Sequence, residues 1–291
     1  MTRRGLALFA AMCVIWGVPY LLIRVAVEEI SPAMLVLGRT GLAVLLLLPI
    51  AAARGEIGPA LAHWRPVLAF AGIEIALPWL LLGAAEQEIS SSLAALLIAG
   101  VPLIGAVIAR MTGGRDLGLP NVVGLLVGLG GVGAIVGVNL ESAGVVPIAE
   151  VGLVAVCYAV GPVILQRWLS DVPALGVIAV SLAVTALVYL PIAAFTWPDE
   201  MPSAKAIWSV VGLAVVCTAL AFLLFFALIA EIGPVRATVI TYVNPAVAAV
   251  LGVLVLDEQF TVGMAIGFTL VLVGSVLATR PSRPAPVVAA A

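Results

Sequence analysis

Residues 238–268 read TVITYVNPAVAAVLGVLVLDEQFTVGMAIGF. The first part is apolar on every helical face and carries Pro245 near its middle. It stops at Asp257-Glu258, and a second apolar run opens almost at once with Gly263 and Gly267. A helix that is hydrophobic all round has no side for water and suits lipid or other helices. Two adjacent carboxylates in hydrocarbon would be very costly, so the acidic pair is expected where the chain meets water. The stretch therefore reads as a transmembrane hairpin with a very short connection.

The rest of the chain repeats this design. It has 291 residues, of which 64% are hydrophobic and 10% charged, against roughly 25% charged in soluble domains. A bilayer span takes about 20 residues, and the apolar runs divide into ten pieces: 5–23, 33–53, 66–85, 90–109, 119–139, 147–167, 174–196, 207–230, 235–256 and 261–279. Met1-Thr2-Arg3-Arg4 before an apolar run has the look of a signal peptide. The run continues to Ile23, longer than such a segment, and reads as an uncleaved first span. The Pro- and Ala-rich tail 280–291 is expected to be disordered. With the N-terminus in the cytoplasm, ten Arg residues fall inside (Arg3, Arg4, Arg54, Arg65, Arg110, Arg115, Arg167, Arg236, Arg280, Arg283). Only Arg24 and Lys205 fall outside, and Arg39 lies within span two. This asymmetry is that of ten spans with both termini cytoplasmic.

Several marks recur at a near-constant offset. Pro19 and Pro162 are 143 positions apart, as are Arg24 and Arg167; Pro49 and Pro191 are 142 apart. Glu88 to Pro102 spaces like Glu231 to Pro245, and Gly124/Gly128 like Gly263/Gly267. The expected architecture is all-α, with a five-helix repeat over 5–139 and a second over 147–279. Five is odd, so the second repeat must enter the membrane upside down. Inverted repeats are the sequence mark of secondary transporters.

Trp16-Gly17, Arg39, the Asn244-Pro245 run ending in Asp257-Glu258, and Gly263/Gly267 carry a further resemblance over about residues 5–280. The chain resembles the drug/metabolite transporter superfamily, EamA-type branch, and within it the bacterial amino-acid and metabolite exporters. The second repeat matches better; after Pro102 the first has no acidic residue directly followed by Glu. The resemblance implies an inner-membrane exporter of amino acids or other small metabolites, with drug-like cargo as the alternative and a passive channel or membrane scaffold as the alternative class.

Glu74 stands near the middle of span three, where an ionisable group is costly and is a functional candidate by default. It could couple protons, receive a substrate ammonium, or pair structurally with Arg39. At ~1.5 Å per residue the two differ in depth by only ~7 Å. Arg39 could instead hold a substrate carboxylate bidentately. Trp16, Tyr20, Trp79, Tyr158 and Phe222 could grip apolar cargo or simply pack helices. Thr241, Tyr242 and Asn244 are candidate substrate contacts before Pro245, where the proline frees backbone carbonyls that with the Asn244 amide could ligate an ammonium, or could simply form a kink that lets the helix rock. Pro19, Pro78, Pro102, Pro162 and Pro245 are the candidate hinges. Gly124/Gly128 has small-xxx-small spacing, suited to packing within the chain or to a homodimer seam. No catalytic cluster, metal-ligand spacing, cofactor motif or nucleic-acid patch is expected: His63 is the only histidine, Lys205 the only lysine, and Cys13, Cys157 and Cys217 lie singly in apolar runs.

Overall fold

The computed structural model describes residues 2–112, 118–198 and 200–280. Residues 281–291 of the expected disordered tail, with Arg283, and Arg115, expected on the cytoplasmic side, lie outside the described residues. Among the described residues the chain is helical and without strands. Eight stretches are long and apolar enough to cross a membrane: α1 (Arg3–Ala26), α2 (Pro32–Ala53), α3 (Trp64–Glu88), α4 (Ser91–Met111), α5 (Leu119–Ala143), α6 (Val145–Trp168), α7 (Ala174–Ala194) and α8 (Ala204–Ile232). Two shorter apolar helices of 17 residues follow, α9 (Ile240–Leu256) and α10 (Val262–Ala278). At most 56% of the apolar window of any of the eight is buried within the molecule. Leucines such as Leu45, Leu126, Leu187 and Leu254 point outward. Lipid, not protein, must cover that surface.

The largest interface joins α5 to α10, and other broad ones join an early helix to a late one, α2 to α7, α3 to α6, α4 to α9 and α1 to α8. Exchanging each helix for the one five places on leaves this set of pairs unchanged. The α5–α10 interface explains the glycines. A Cβ on Gly124 would overlap Ala278 and Gly274 backbone, one on Gly131 the Gly267 carbonyl, and one on Gly274 the backbone of Gly128. The Gly124/Gly128 seam is thus filled from within the chain, by α10. Gly274→Ala is expected to lower the thermal midpoint in detergent, since overpacking costs ~1–3 kcal/mol. Gly133→Ala, whose Cβ meets nothing within 4 Å, is the control and should be neutral or slightly stabilising, because Ala is the better helix former. Equal midpoints for the two variants would refute the tight seam.

Several helices are not the plain rods the apolar runs suggest. α1 breaks at Trp16–Gly17, with Pro19 in the first turn of its second half. α4 breaks at Ala99–Gly100, with Pro102 in the first turn beyond. α3 and α8 each contain one turn of π-helix, at Ala71–Ala76 and Val215–Leu220, 144 positions apart. Pro78 follows one residue beyond the first π turn, in the first turn of the α-helix after it. Of the five candidate hinges, Pro162 and Pro245 differ: α6 and α9 run through them unbroken. The break near Pro245 comes earlier, between the short helix Pro234–Ala237 and Ile240.

The acidic loop residues also do more than mark the water boundary. Asp257 adopts a left-handed conformation (φ 54°) at the end of α9, which aims the next residue back into the molecule. Glu258 then accepts from Ser91 N (2.8 Å), Ser92 N (2.9 Å) and Ser92 Oγ at the start of α4. Glu56 accepts from Gly176 N at the start of α7 (3.1 Å). Glu29 accepts from Ser203 N and Oγ before α8 (both 2.6 Å), and these two bonds hold its carboxyl below the usual carboxylate range. Free N–H groups and the helix dipole make a helix start the natural seat for a carboxylate.

Candidate functional site

The two π turns hold matching places in α3 and α8, and they present Glu74 and Thr218, again 144 positions apart. A π turn inserts one residue into the helical ladder and re-aims the side chains after it, and such turns gather at functional sites. Arg39, buried on α2, donates from Nε to Thr218 Oγ1 at 2.9 Å. The Thr218 hydroxyl in turn donates to Leu213 O at 2.8 Å. The guanidinium carbon lies 3.5 Å from the centroid of the Trp79 ring. A cation over an indole face in a dry site is held by ~2 kcal/mol or more. Tyr158 of α6 and Tyr20 of α1 stand within electrostatic reach of the same guanidinium, and the Trp79 N–H faces the Tyr158 hydroxyl. Among the described residues the two terminal nitrogens of Arg39 make no hydrogen bond with protein. The arrangement is a fixed, mostly desolvated cation with its bidentate edge free, which is what recognition of a carboxylate requires.

Glu74 faces another way. Its carboxylate fits against Gly161 of α6, where any Cβ would collide with it. Oε2 is buried and has no hydrogen-bond partner among the described residues. The expected Arg39–Glu74 ion pair is therefore corrected: Arg39 crosses to the π turn of α8 and stacks on Trp79, and Glu74 is left without a cation. Helical rise gave their similar depth, but depth says nothing of azimuth. Tyr189 of α7 completes this side, donating to Ala76 O at 2.9 Å. That carbonyl ends the π turn two residues before Pro78, and an unpaired one in a dry interior would be costly.

The remaining candidates separate. Trp16 packs on Phe225 (centroids 4.7 Å apart) and edge-on to Phe222 (6.2 Å), and Phe222 stacks on Phe226 (6.2 Å). This half-buried aromatic patch joins α1 to α8. Asn244 is buried, and with its amide turned to satisfy both acceptors it donates to Ile240 O (2.9 Å) and Cys13 O (3.1 Å). The α1 break frees the Cys13 carbonyl, since Gly17 N bonds Val14 O instead. The amide thus clasps the break. Thr241 is exposed and bonds back to Thr238 O (2.7 Å). Tyr242 reaches Thr279 on α10 (3.3 Å). Neither joins the Arg39 cluster; Ile240, Asn244 and Ala248 are the buried face of α9. Sequence reasoning missed Thr218 and Tyr189. The 142–143 offset read from the sequence, applied to Glu74, falls on Val216 and Cys217, one or two residues short of Thr218.

The EamA-like transporter family matches this chain twice, over residues 3–137 and 150–280. The chain is 31% identical to the inner membrane transporter YedA of Escherichia coli (strain K12) over 265 residues, 86% of this chain and 83% of that one. It is 26% identical to the transporter YvbV of Bacillus subtilis (strain 168), over 97% of this chain and 93% of that one. A protein crystal structure shares the fold with a TM-score of 0.68 at 20% identity, covering 96% of this chain and 97% of that one. These likenesses point to a transporter rather than an enzyme, and with the apolar helices they place the protein in the inner membrane as a multi-pass protein. Both halves of the family match and the 31% identity lead to one assignment: the chain belongs to the EamA-like transporter family of the drug/metabolite transporter superfamily.

Proposed function

We propose that the protein is a secondary transporter that exports small zwitterionic metabolites, amino acids foremost, by alternating access. All ten helices cross the membrane in this reading, as two inverted five-helix repeats (5–139 and 147–279) with both termini cytoplasmic. α9 and α10 are at the short end of spanning length, and Pro234–Ala237 extends the path of α9. Three features support the inverted repeat: the twofold family match, the π turns offset by 144, and the set of helix pairs that survives exchange of the halves. Two half-structures related in this way can trade conformations and open the same site to either side.

The observation that carries the cargo assignment is the pairing of opposite needs in one buried region. Arg39 offers a free bidentate edge, and Glu74 offers a carboxylate oxygen without a donor. A carboxylate on the first and an ammonium on the second is the signature of an amino acid. Tyr20, Trp79 and Tyr158 supply the wall. The Trp16, Phe222, Phe225 and Phe226 patch favours one second reading, drug-like lipophilic cargo of the same superfamily. Uptake by proteoliposomes of purified protein, across a panel of labelled amino acids with and without an imposed proton gradient, is the test. Saturable uptake of some amino acids is expected. Uptake confined to lipophilic cations would replace the cargo assignment with the second reading, and uptake that never saturates would replace alternating access with a passive channel.

A further inference from the structure

Away from the central cluster, one carboxyl group has no evident employment. Glu86, near the end of α3, is 0% exposed, and neither of its oxygens has a hydrogen-bond partner among the described residues. It sits where four segments meet on the face that the charge pattern places outside. Arg24 of α1 lies beside it but donates to backbone, to Glu86 O (2.8 Å) and Gln87 O (3.4 Å). Gln87 answers by donating to Val27 O (3.2 Å). On the other side Glu258 holds the start of α4 through Ser91 and Ser92. The α3–α4 connection is thus clamped from the first half by Arg24 and from the second by Glu258. Above it lies a polar depression of about 230 Å³ lined by Arg24, Glu28, Glu88, Leu256 and Glu258.

The charged and titratable groups around Glu86 are few. α1 brings Arg24 and Tyr20, and the α9–α10 turn brings Glu258. α4 brings the buried Ser91 hydroxyl. α6 brings Glu150, which faces Glu88 rather than Glu86. The cation on α2, Arg39, is directed at Tyr20, Tyr158 and Thr218. One cation and one carboxylate therefore answer to the charge on Glu86, and each is one half of the clamp.

We propose that Glu86 is a proton-binding carboxylate that sets the outer closure, taking its proton from the outer water through the polar depression. This rests on the transport reading above. With the proton on, Glu86 is neutral and leaves Arg24 on the α3 carbonyls and Glu258 on the α4 start, the arrangement observed. With the proton off, the carboxylate draws Arg24 from the carbonyls and repels Glu258 from Ser91 and Ser92, so both halves of the clamp loosen together. Proton arrival from outside closes the outer face, the coupling an exporter driven by inward proton flow needs.

The test is the labelling rate of Leu256→Cys, at the depression, by a membrane-impermeant maleimide in proteoliposomes. Met201→Cys, 85% exposed, is the reference, and the native cysteines are buried. Relative to the reference, the rate is expected to rise about tenfold from about pH 6 to about pH 8, as proton linkage to one group allows. Glu86→Gln should flatten the rise and leave the site protected, Glu86→Asp should restore it, and Arg24→Gln, which removes one half of the clamp, should raise the rate at about pH 6 and shrink the rise. The same rise with Glu86→Gln, or no rise with Glu86 in place, overturns the proposal. Labelling reads the closure without cargo, so a failure of amino-acid uptake would count against the transport reading and leave this result intact.

Discussion

Arg39→Ala is expected to cut saturable amino-acid uptake about a hundredfold or more, because truncating one partner of a desolvated charge pair costs ~2–5 kcal/mol. The cost has two sources. The cargo carboxylate loses both terminal nitrogens, and it would enter a dry site with no cation to meet it. The fold should suffer little: Thr218 keeps its bond to Leu213 O, and Trp79 remains packed among aliphatic neighbours of α2 and α6. Arg39→Lys is the sharper variant. It keeps the charge but loses the planar stack on Trp79 and the two-pronged edge, and uptake should still fall by about tenfold. Thermal midpoints of all three proteins in detergent should agree closely. Uptake by Arg39→Ala with an unchanged KM would remove Arg39 from the cargo path and leave it a helix-packing cation. A lowered midpoint in step with lowered uptake would say the same.

The membrane fold was legible because lipid leaves few options. A spanning helix must be apolar all round, and the ends must carry the charges. So the runs, their breaks and the 142–143 offset could all be read from composition and spacing. The site was only partly legible. Glu74 and Arg39 could be singled out because charge in hydrocarbon is expensive, but their partners could not. The stretches AGIEIA and VVCTAL share no residue pattern that announces a π turn, because i→i+5 bonding is set by how the neighbouring helices fit. Those turns rotate Thr218 toward Arg39, and the packing of α6 at Gly161 takes Glu74 elsewhere. Asn244 shows the same limit. Its place before Pro245 suggested a ligand, but the break in α1, a feature of another helix, decides what its amide bonds. Glu258 looked like a solvated end until the left-handed turn at Asp257 folded it onto α4.

Glu74→Gln should separate binding from coupling. The amide has the size of the carboxyl and fits against Gly161 without a new void, so folding is expected to be kept. It cannot exchange a proton, and it offers a cargo ammonium a neutral oxygen in place of a charged one. Stimulation of uptake by an imposed proton gradient should therefore vanish, and residual uptake should fall by about tenfold or more, since hydrogen bonds to a charged group are worth ~1.5–3 kcal/mol. Gly161→Ala attacks the same group from the other side. Its Cβ must displace the Glu74 carboxylate, so gradient stimulation should be lost although both functional side chains are present. That variant should also lose ~1–3 kcal/mol of stability through overpacking. The pair is informative because a merely structural Glu74 predicts a different pattern: Glu74→Gln would transport with gradient stimulation intact, and only Gly161→Ala would fail, in proportion to its lost stability. If instead both lose coupling and Glu74→Gln keeps its thermal midpoint, the unpartnered oxygen of Glu74 is where the proton or the ammonium binds.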